Sequence, residues 1–132
     1  MCGIAGFVDF TQSSSQNDLE IITDCIAHRG PNAAGYYFDG TIGLGHRRLS
    51  ILDLSAAANQ PMYAANERYV IIFNGEVYNF QEIAPELGVK LKTTSDTEVI
   101  LEGFVKWGPD FVHRLNGMFA FAIYDKQEQQ FF

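Results

Sequence analysis

The sequence predicts a single layered domain of the α/β or α+β class, in which helices cover β-sheets. Three observations lead to this fold class. The 132 residues are 47% hydrophobic and 14% aromatic, which is enough for one buried core. Apolar stretches of strand length, at residues 69–73 and 117–125, are typical of strands buried on both faces. Amphipathic helix patterns flank these strands, so sheet layers between helix layers are expected.

The first quarter of the chain predicts a strand and a helix. Residues 3–10 form the strand, and a polar loop follows. Asn17 and Glu20 have the spacing of a capping box, so we expect the helix to begin there and to end before Gly30. Cys25, beside the apolar stripe of this helix, is predicted to be a small core residue.

The middle of the chain predicts a hairpin, a buried strand and a short helix. Short β-type segments alternate with glycines over residues 36–51, which indicates a hairpin followed by a loop. The strand at residues 69–73 is expected to end at Asn74, and Asn79 is expected to cap a helix that ends near Gly88.

The last third predicts a longer helix and a strand. Ser95 and Glu98 form a capping box at the start of a helix that ends before Gly108. Residues 117–125 form an apolar strand, and a polar turn at residues 126–130 should begin a return strand.

Composition and charge exclude several classes of function. The net charge is −7 without a basic run, so a nucleic-acid partner is not expected. The longest apolar run, residues 118–124, is far shorter than a membrane span, so no membrane role is expected. Two cysteines and no leader suit the cytoplasm. The three histidines lack metal-ligand spacing, and we expect no metal.

Cys2 is the first candidate for chemistry. Removal of Met1 would place a free α-amine, with a pKa of about 8, on the same residue as a thiol. A thiol with a base beside it is an activated nucleophile. A cysteine at position two can also occur by chance, so it is weak evidence alone.

Asn74-Gly75 has two interpretations. Asn-Gly between β-type segments is the commonest short hairpin signal. Alternatively, the Asn74 side-chain amide and the Gly75 N–H together could stabilise a developing oxyanion. Glu76, which follows directly, could receive an ammonium group.

Arg47, Arg48 and Asp96 are also ambiguous. On a strand the two arginines would point to opposite faces, so one could enter a pocket and bind a carboxylate. Solvation of both is the more ordinary explanation of that segment alone. Asp96, in the first turn of a helix, is explained equally well by the helix dipole.

Together these segments match a family. The matching segments, in family order, are MCGIAGF, AHRGP, GHRRLSILD, NQPM, FNGEVYNF, SDTEVIL and LNGMFAFAIYD. The chain closely resembles the N-terminal glutaminase domain of glutamine-dependent asparagine synthetases, a class II (N-terminal nucleophile) glutamine amidotransferase. The resemblance implies an α+β fold, the Ntn-hydrolase-like four-layer αββα sandwich of antiparallel sheets.

The resemblance also implies a function and roles for single residues. Glutamine would be hydrolysed to glutamate and ammonia through a thioester on Cys2, with Asn74 and Gly75 as the oxyanion hole. The glutamine carboxylate would be bound by Arg48, and its ammonium group by Glu76 and Asp96. Backbone groups of the loop after Arg48 would help, at Leu49, Ser50, Ile51 and Leu52.

Two departures from the family pattern stand out. Asn32 occupies a position where the family usually has Asp, which puts the geometry of that loop in question. The family's glutaminase region continues past Asp125, and a synthetase domain that uses ATP and Mg²⁺ follows it. Residues 1–132 are therefore expected to be a C-terminally truncated glutaminase domain without a cofactor of its own.

The expected partners are L-glutamine, the missing synthetase domain and, as a possibility, a second copy in a homodimer. The main alternative function is a non-catalytic module that binds glutamine or a partner surface. Hydrolysis of a peptide or another acyl amide is a further alternative, against which Arg48, paired with Asp96 and Glu76, argues.

Overall fold

The computed structural model describes all of residues 1–132 as four layers, two antiparallel sheets with helices on their outer faces. The first sheet has the strand order β1-β3-β2, with β1 (Gly3–Val8), β2 (Ala33–Phe38) and β3 (Ile42–Arg48). The second has the order β4-β5-β6-β7, with β4 (Met62–Tyr63), β5 (Tyr69–Val77), β6 (Gly117–Asp125) and β7 (Gln130–Phe131). The helices are α1 (Gln16–Asp24), α2 (Phe80–Leu87) and α3 (Asp96–Trp107), with short 3₁₀ turns at Ala27–Arg29, Ala56–Ala58 and Gly108–Arg114.

The core lies in the spaces between these layers. Between the two sheets lie five buried side chains, Ile42, Leu44, Val70, Ile72 and Tyr124. A larger cluster between the second sheet and α3 contains Ile71, Phe73, Ile100, Leu101, Phe104 and Ile123. α1 covers the first sheet, and α2 packs on α3. The predicted αββα sandwich is confirmed.

β5 is buried on both faces, as its apolar sequence predicts. Val70 and Ile72 face the first sheet, whereas Ile71 and Phe73 face α3. This alternation follows from the two-residue period of a strand, and it fixes the direction of every side chain further along β5.

The strand does not end at Asn74. β5 pairs with β6 without interruption from Tyr69 to Val77, so the interpretation of Asn74-Gly75 as a hairpin turn is wrong. The predicted hairpin over residues 36–51 is confirmed as β2 and β3, which pair antiparallel.

The predicted start of α1 is wrong by two residues. Ser15, not Asn17, is the N-cap, and Asp18 completes the capping box: the Ser15 Oγ accepts the Asp18 N–H, and the Asp18 carboxylate accepts the Ser15 N–H. The shift has a physical cause, because the Asp9 carboxylate accepts backbone N–H groups up to Ser14 and holds the turn directly before the helix. Cys25 follows the last turn of α1 and is exposed, so its predicted place in the core is also wrong.

The two later helices begin where the sequence predicts, with different side-chain contacts. Asn79 is the N-cap residue of α2, as predicted, but its side chain makes no capping hydrogen bond and bonds instead to backbone groups of Arg114 and Asn116. Ser95 caps α3 by accepting the Glu98 N–H. None of the three helices has the length and apolar content needed to cross a membrane.

Candidate active site

A cavity with an empty volume of about 550 Å³ lies where the N-terminus, the loop after β3, the middle of β5 and the start of α3 meet. We call it the Cys2 cavity. Eight of the ten predicted site residues line it, namely Cys2, Arg48, Leu49, Ile51, Leu52, Gly75, Glu76 and Asp96. Met1 also contributes to the wall. The predicted residues, which are up to 94 positions apart in sequence, are thus brought to one place.

Ser50 and Asn74 are the two predicted residues outside the lining. The Ser50 N–H donates to the Asn32 Oδ1 over 3.0 Å, so this amide oxygen holds the loop where the family usually has a carboxylate. Asn74 shares the face of β5 that carries Val70 and Ile72, and its side chain therefore points towards the first sheet. Its Oδ1 is buried and has no hydrogen-bond partner.

Cys2 precedes β1 and is held on both its backbone and its side chain. Its Sγ accepts the Leu49 N–H over 3.3 Å and lies 3.6 Å from the Leu49 carbonyl oxygen, to which the thiol donates. The Arg29 Nε donates to the Cys2 carbonyl over 3.0 Å. The thiol therefore has a defined position at the wall of the cavity, next to the loop that follows Arg48.

Arg48 is 7% exposed, and its guanidinium organises that loop. Its Nη1 donates to the carbonyl of Ser55 over 2.7 Å and to the Asn59 Oδ1 over 2.6 Å. Its Nη2 donates to the carbonyl of Asp53. These three bonds use three of the five N–H groups of the side chain.

The Nε–H of Arg48 and one N–H of its Nη2 make no hydrogen bond within the chain. In a guanidinium group, Nε and the neighbouring Nη together can form a fork. Such a fork matches the two oxygens of a carboxylate. The same chain shows this geometry at Arg68, whose Nε and Nη2 both donate to the Asp125 carboxylate. Arg47 points the other way and bonds to the carbonyl of Gly30 and to Asp24. The predicted opposite directions of the two arginines are therefore confirmed, but neither side chain is fully solvated.

Asp96 and Glu76 place negative charge at another wall of the cavity. Asp96 is 5% exposed, and its Oδ2 accepts the Val77 N–H over 3.0 Å. Burial raises the pKa of Asp96, and the negative charge of Glu76 raises it further. Glu76 itself is exposed. A cation bound between these carboxylates would offset both the burial and the repulsion.

Gly75 presents its amide to the cavity from the open side of β5. Alternate residues of a strand direct their N–H and C=O groups to the same side. On the side away from β6, the Phe73 N–H donates to the Gln60 Oε1, and the Val77 N–H donates to Asp96. Gly75 lies between Phe73 and Val77 in the same row. Its N–H therefore points to the same side of β5 as their N–H groups, which already have acceptors.

Only glycine fits this position of β5. A Cβ on Gly75 would lie 2.3 Å from the Met118 carbonyl oxygen and 2.5 Å from the Phe119 Cα, and both are backbone atoms. The φ angle of Gly75 is +157°, which side chains rarely adopt. The close approach of β6 therefore requires a residue without a side chain at the cavity wall.

Comparison with known proteins is consistent with this geometry. The family model described as "Glutamine amidotransferase domain" matches residues 1–132. The chain belongs to this family.

Three relatives of this glutamine amidotransferase domain are informative. It is 37% identical to asparagine synthetase [glutamine-hydrolyzing] 3 of Bacillus subtilis, over 100% of the chain and 22% of that protein. It is 39% identical to asparagine synthetase B [glutamine-hydrolyzing] of Escherichia coli, over 99% and 24%. It is 35% identical to amidase chry2 of Gibberella zeae, over 98% and 22%. The chain spans less than a quarter of the length of these relatives.

Three residues at or next to the Cys2 cavity escaped the sequence prediction. Arg29 donates to the carbonyl of Cys2. The Asp53 carboxylate accepts the Thr94 N–H over 2.9 Å and so ties the Arg48 loop to the start of α3. Hydrogen bonds from Ser55 and Thr94 hold the pKa of Asp53 well below its usual range. Gln60 bonds to β5, as described above.

Their only sequence signal is that they lie inside the family segments AHRGP, GHRRLSILD and NQPM. No group of three or more histidine, cysteine, aspartate or glutamate side chains is placed to hold a metal ion.

Proposed function

We propose that this domain hydrolyses the side-chain amide of L-glutamine to glutamate and ammonia through a thioester on Cys2. One observation carries the proposal. The Cys2 cavity is lined by a thiol, by the Arg48 guanidinium with N–H groups not used within the chain, by the buried carboxylate of Asp96 and by Gly75. A free α-amino acid with a reactive side-chain carbonyl complements all four.

Recognition of glutamine uses the charged groups. The fork on Arg48 binds the α-carboxylate, and backbone groups of residues 49–52 line the same wall. Asp96 and Glu76 bind the α-ammonium group. Because both ends of the amino acid are fixed, the side-chain amide is positioned at the thiol without further loss of translational freedom. A peptide or simple amide would leave at least one of these charged groups unpaired.

The nucleophile requires loss of Met1. The α-amine of Cys2 then takes the thiol proton, and the sulfur attacks the side-chain carbonyl carbon of glutamine, whose π electrons move to the oxygen. The tetrahedral intermediate collapses, the C–N bond breaks, and the ammonium of Cys2 returns the proton to the former amide nitrogen, which leaves as ammonia. Water attacks the resulting thioester in the same manner, which releases glutamate and restores the thiol.

The oxyanion of the tetrahedral intermediate is stabilised by Gly75 and Asn74. The Gly75 N–H reaches the cavity from the open side of β5. The Asn74 side chain lies on the face of β5 that points towards the first sheet. Cys2 directly precedes β1 of that sheet, so the Asn74 amide approaches the thiol from this face. Loss of one such donor costs roughly 10²- to 10³-fold in rate.

The names of two relatives support a proposal for the fate of the ammonia. Both are glutamine-hydrolysing asparagine synthetases. We therefore propose that the ammonia passes to an ATP- and Mg²⁺-dependent synthetase domain outside residues 1–132, which amidates aspartate or another carboxylate.

The test compares the processed protein with two controls. Intact mass first shows whether Met1 is absent. Glutamate release and labelling of Cys2 by 6-diazo-5-oxo-L-norleucine are then measured. Cys2→Ala is the first control, and Lys inserted between Met1 and Cys2, which retains the initiator, is the second. We expect activity and labelling only in the processed protein.

The alternative of a non-catalytic module predicts a different result. The processed protein would bind glutamine in calorimetry, without glutamate release and without labelling at Cys2. That outcome would contradict the proposed hydrolysis.

A further inference from the structure

The peptide groups of Phe73, directly before Asn74 and Gly75, are held on the open side of β5 by side chains and not by a strand. The Gln60 Oε1 accepts the Phe73 N–H over 2.6 Å. The His46 Nε2 donates to the Phe73 carbonyl over 3.1 Å. Both peptide groups are thus fixed by two residues that the proposed chemistry does not use.

This arrangement replaces a missing continuation of β4. Met62 of β4 lies opposite Ile71, so the same register would place residue 60 opposite Phe73. β4 does not extend that far, and without a partner the Phe73 peptide would be a buried and unsatisfied polar group. Gln60 and His46 supply the two missing hydrogen bonds.

Both side chains are themselves immobilised. His46 is 1% exposed and Gln60 is 7% exposed. Because the His46 Nε2 must carry the proton that it donates to the carbonyl, the Nδ1 of the neutral ring is unprotonated. The Nδ1 is buried and has no hydrogen-bond partner. Burial, together with the positive charge of Arg48, lowers the pKa of His46 to about 4, which keeps the ring neutral near pH 7.

Each of the two side chains also connects Phe73 to one end of the proposed glutamine site. His46 lies on β3 two residues before Arg48 and on the same face. The Gln60 Nε2 donates to the Thr97 Oγ1 over 3.2 Å, one residue after Asp96. The His46 bond therefore fixes the position of β5 relative to Arg48, the proposed carboxylate ligand. The Gln60 bond fixes it relative to Asp96, the proposed ammonium ligand.

We propose that His46 and Gln60 are positioning residues, which place the Gly75 amide relative to a glutamine molecule held by Arg48 and Asp96. The inference rests on the proposed glutaminase function. His46 lies outside the lining of the Cys2 cavity, whereas Gln60 contributes to it, so His46 is the cleaner of the two tests. Each acts through the Phe73 peptide, two residues before the proposed oxyanion donor.

The consequence is a separation between binding and reaction. Loss of either hydrogen bond frees residues 73–75 of β5 to shift relative to the bound substrate. Arg48 keeps its loop contacts, and the bond from the Val77 N–H to Asp96 still holds the end of the strand that carries Glu76. A misplacement of about 1 Å at the reacting centre can lower the rate on the order of 10²-fold. The turnover number should therefore fall while KM for glutamine stays nearly unchanged.

The test uses processed protein and a pair of variants at one position. His46→Leu removes the donor at similar volume, whereas His46→Gln retains an amide donor of similar reach. We expect His46→Leu to lower kcat for glutamine hydrolysis by about 10- to 100-fold, with KM within about threefold of the original value. His46→Gln should recover most of kcat. Alkylation of Cys2 by iodoacetamide forms no oxyanion, so its rate should stay within about twofold in both variants.

Leu44→Ala is the matched control. Leu44 lies on the same strand and face as His46 and is 3% exposed. Its truncation leaves a cavity in the core between the sheets and lowers the stability of the fold, but it removes no hydrogen bond to Phe73. We expect its kcat to remain near the original value below its unfolding temperature. Gln60→Met, which removes the acceptor for the Phe73 N–H, is a second test with the same expected split, and it decides the matter if His46→Leu does not fold.

Three results would overturn the inference. The first is a kcat within twofold of the original value in the variants that lack the hydrogen bond. The second is an equal loss in Leu44→Ala, and the third is a loss expressed entirely in KM. Failure of the proposed function is distinguishable, because the unsubstituted processed protein would then release no glutamate and would resist labelling, and the inference would fall with it.

Discussion

Acidification should destabilise this domain through His46, well before its carboxylates become protonated. His46 is buried, and burial lowers its pKa from 6.5 to about 4. Between these values the unfolded chain binds a proton that the folded chain does not, so stability falls as the pH falls. The difference of about 2.5 pH units, at 1.36 kcal/mol each, corresponds to about 3 kcal/mol in full.

The assay is urea denaturation followed by the fluorescence of Trp107, the single tryptophan, at several pH values between 8 and 4.5. His46→Gln cannot take up this proton and serves as the reference. By pH 4.5 the original protein should have lost about 2.5 kcal/mol relative to that variant. Asp96, whose raised pKa acts in the opposite direction, is present in both proteins and cancels in the difference.

Parallel pH dependence in the two proteins would refute the reasoning. It would mean that the imidazole is protonated as readily in the folded chain as in the unfolded one. In that case the ring could not be a buried neutral donor to the Phe73 carbonyl, and its contribution to the site would need another explanation.

Three further predictions concern the walls of the Cys2 cavity. Arg48→Met should raise KM for glutamine by at least about 100-fold, because the carboxylate loses its bidentate partner, while iodoacetamide alkylation of Cys2 changes only a few-fold. Gly75→Ala should lower stability by about 2 kcal/mol or more in urea denaturation, because the added Cβ meets the backbone of β6, and kcat should fall as well. Asp96→Asn should raise KM but also raise the melting temperature at pH 7. The folded-state pKa of Asp96 lies above its unfolded value of 3.8, so the destabilisation by the buried charge is absent below pH 3.8 and grows as the pH rises.

A matched substitution checks the first of these results, and a change of pH checks the third. Arg47→Met, on the opposite face of the same strand, should leave KM near its original value; an equal effect of both arginine variants would contradict the fork on Arg48. For Asp96→Asn, a stability gain that persists unchanged at pH 3.5 would show that the removed charge is not its cause.

The parts of the fold that were predictable from the sequence have local signals. β6 and α3 have the predicted extent, because an unbroken apolar run and a Ser95 cap specify them within a few residues. Asn74-Gly75 shows where local signals fail. The dipeptide favours a turn, but nine residue pairs between β5 and β6 carry the strand through it.

The residues of the candidate site also fall into those that the sequence predicted and those that it did not. The family segments predicted Cys2, Arg48 and Asp96, and all three line one cavity. Gln60 and Asp53 could not be assigned, because their partners, Phe73 and Thr94, are 13 and 41 residues away. Such contacts depend on how the layers assemble and leave no periodic pattern in the sequence.

The loop that surrounds Arg48 limits how the specificity of this site can be changed. The Arg48 guanidinium binds the carbonyls of Asp53 and Ser55 and the side chain of Asn59, so one cation both shapes this wall of the cavity and offers the fork to the substrate. An acyl donor without a carboxylate cannot be accommodated by exchanging Arg48 alone, because the loop would lose the three hydrogen bonds that Arg48 donates to it. Redesign for another substrate therefore has to rebuild residues 49–59 together with the residue at position 48.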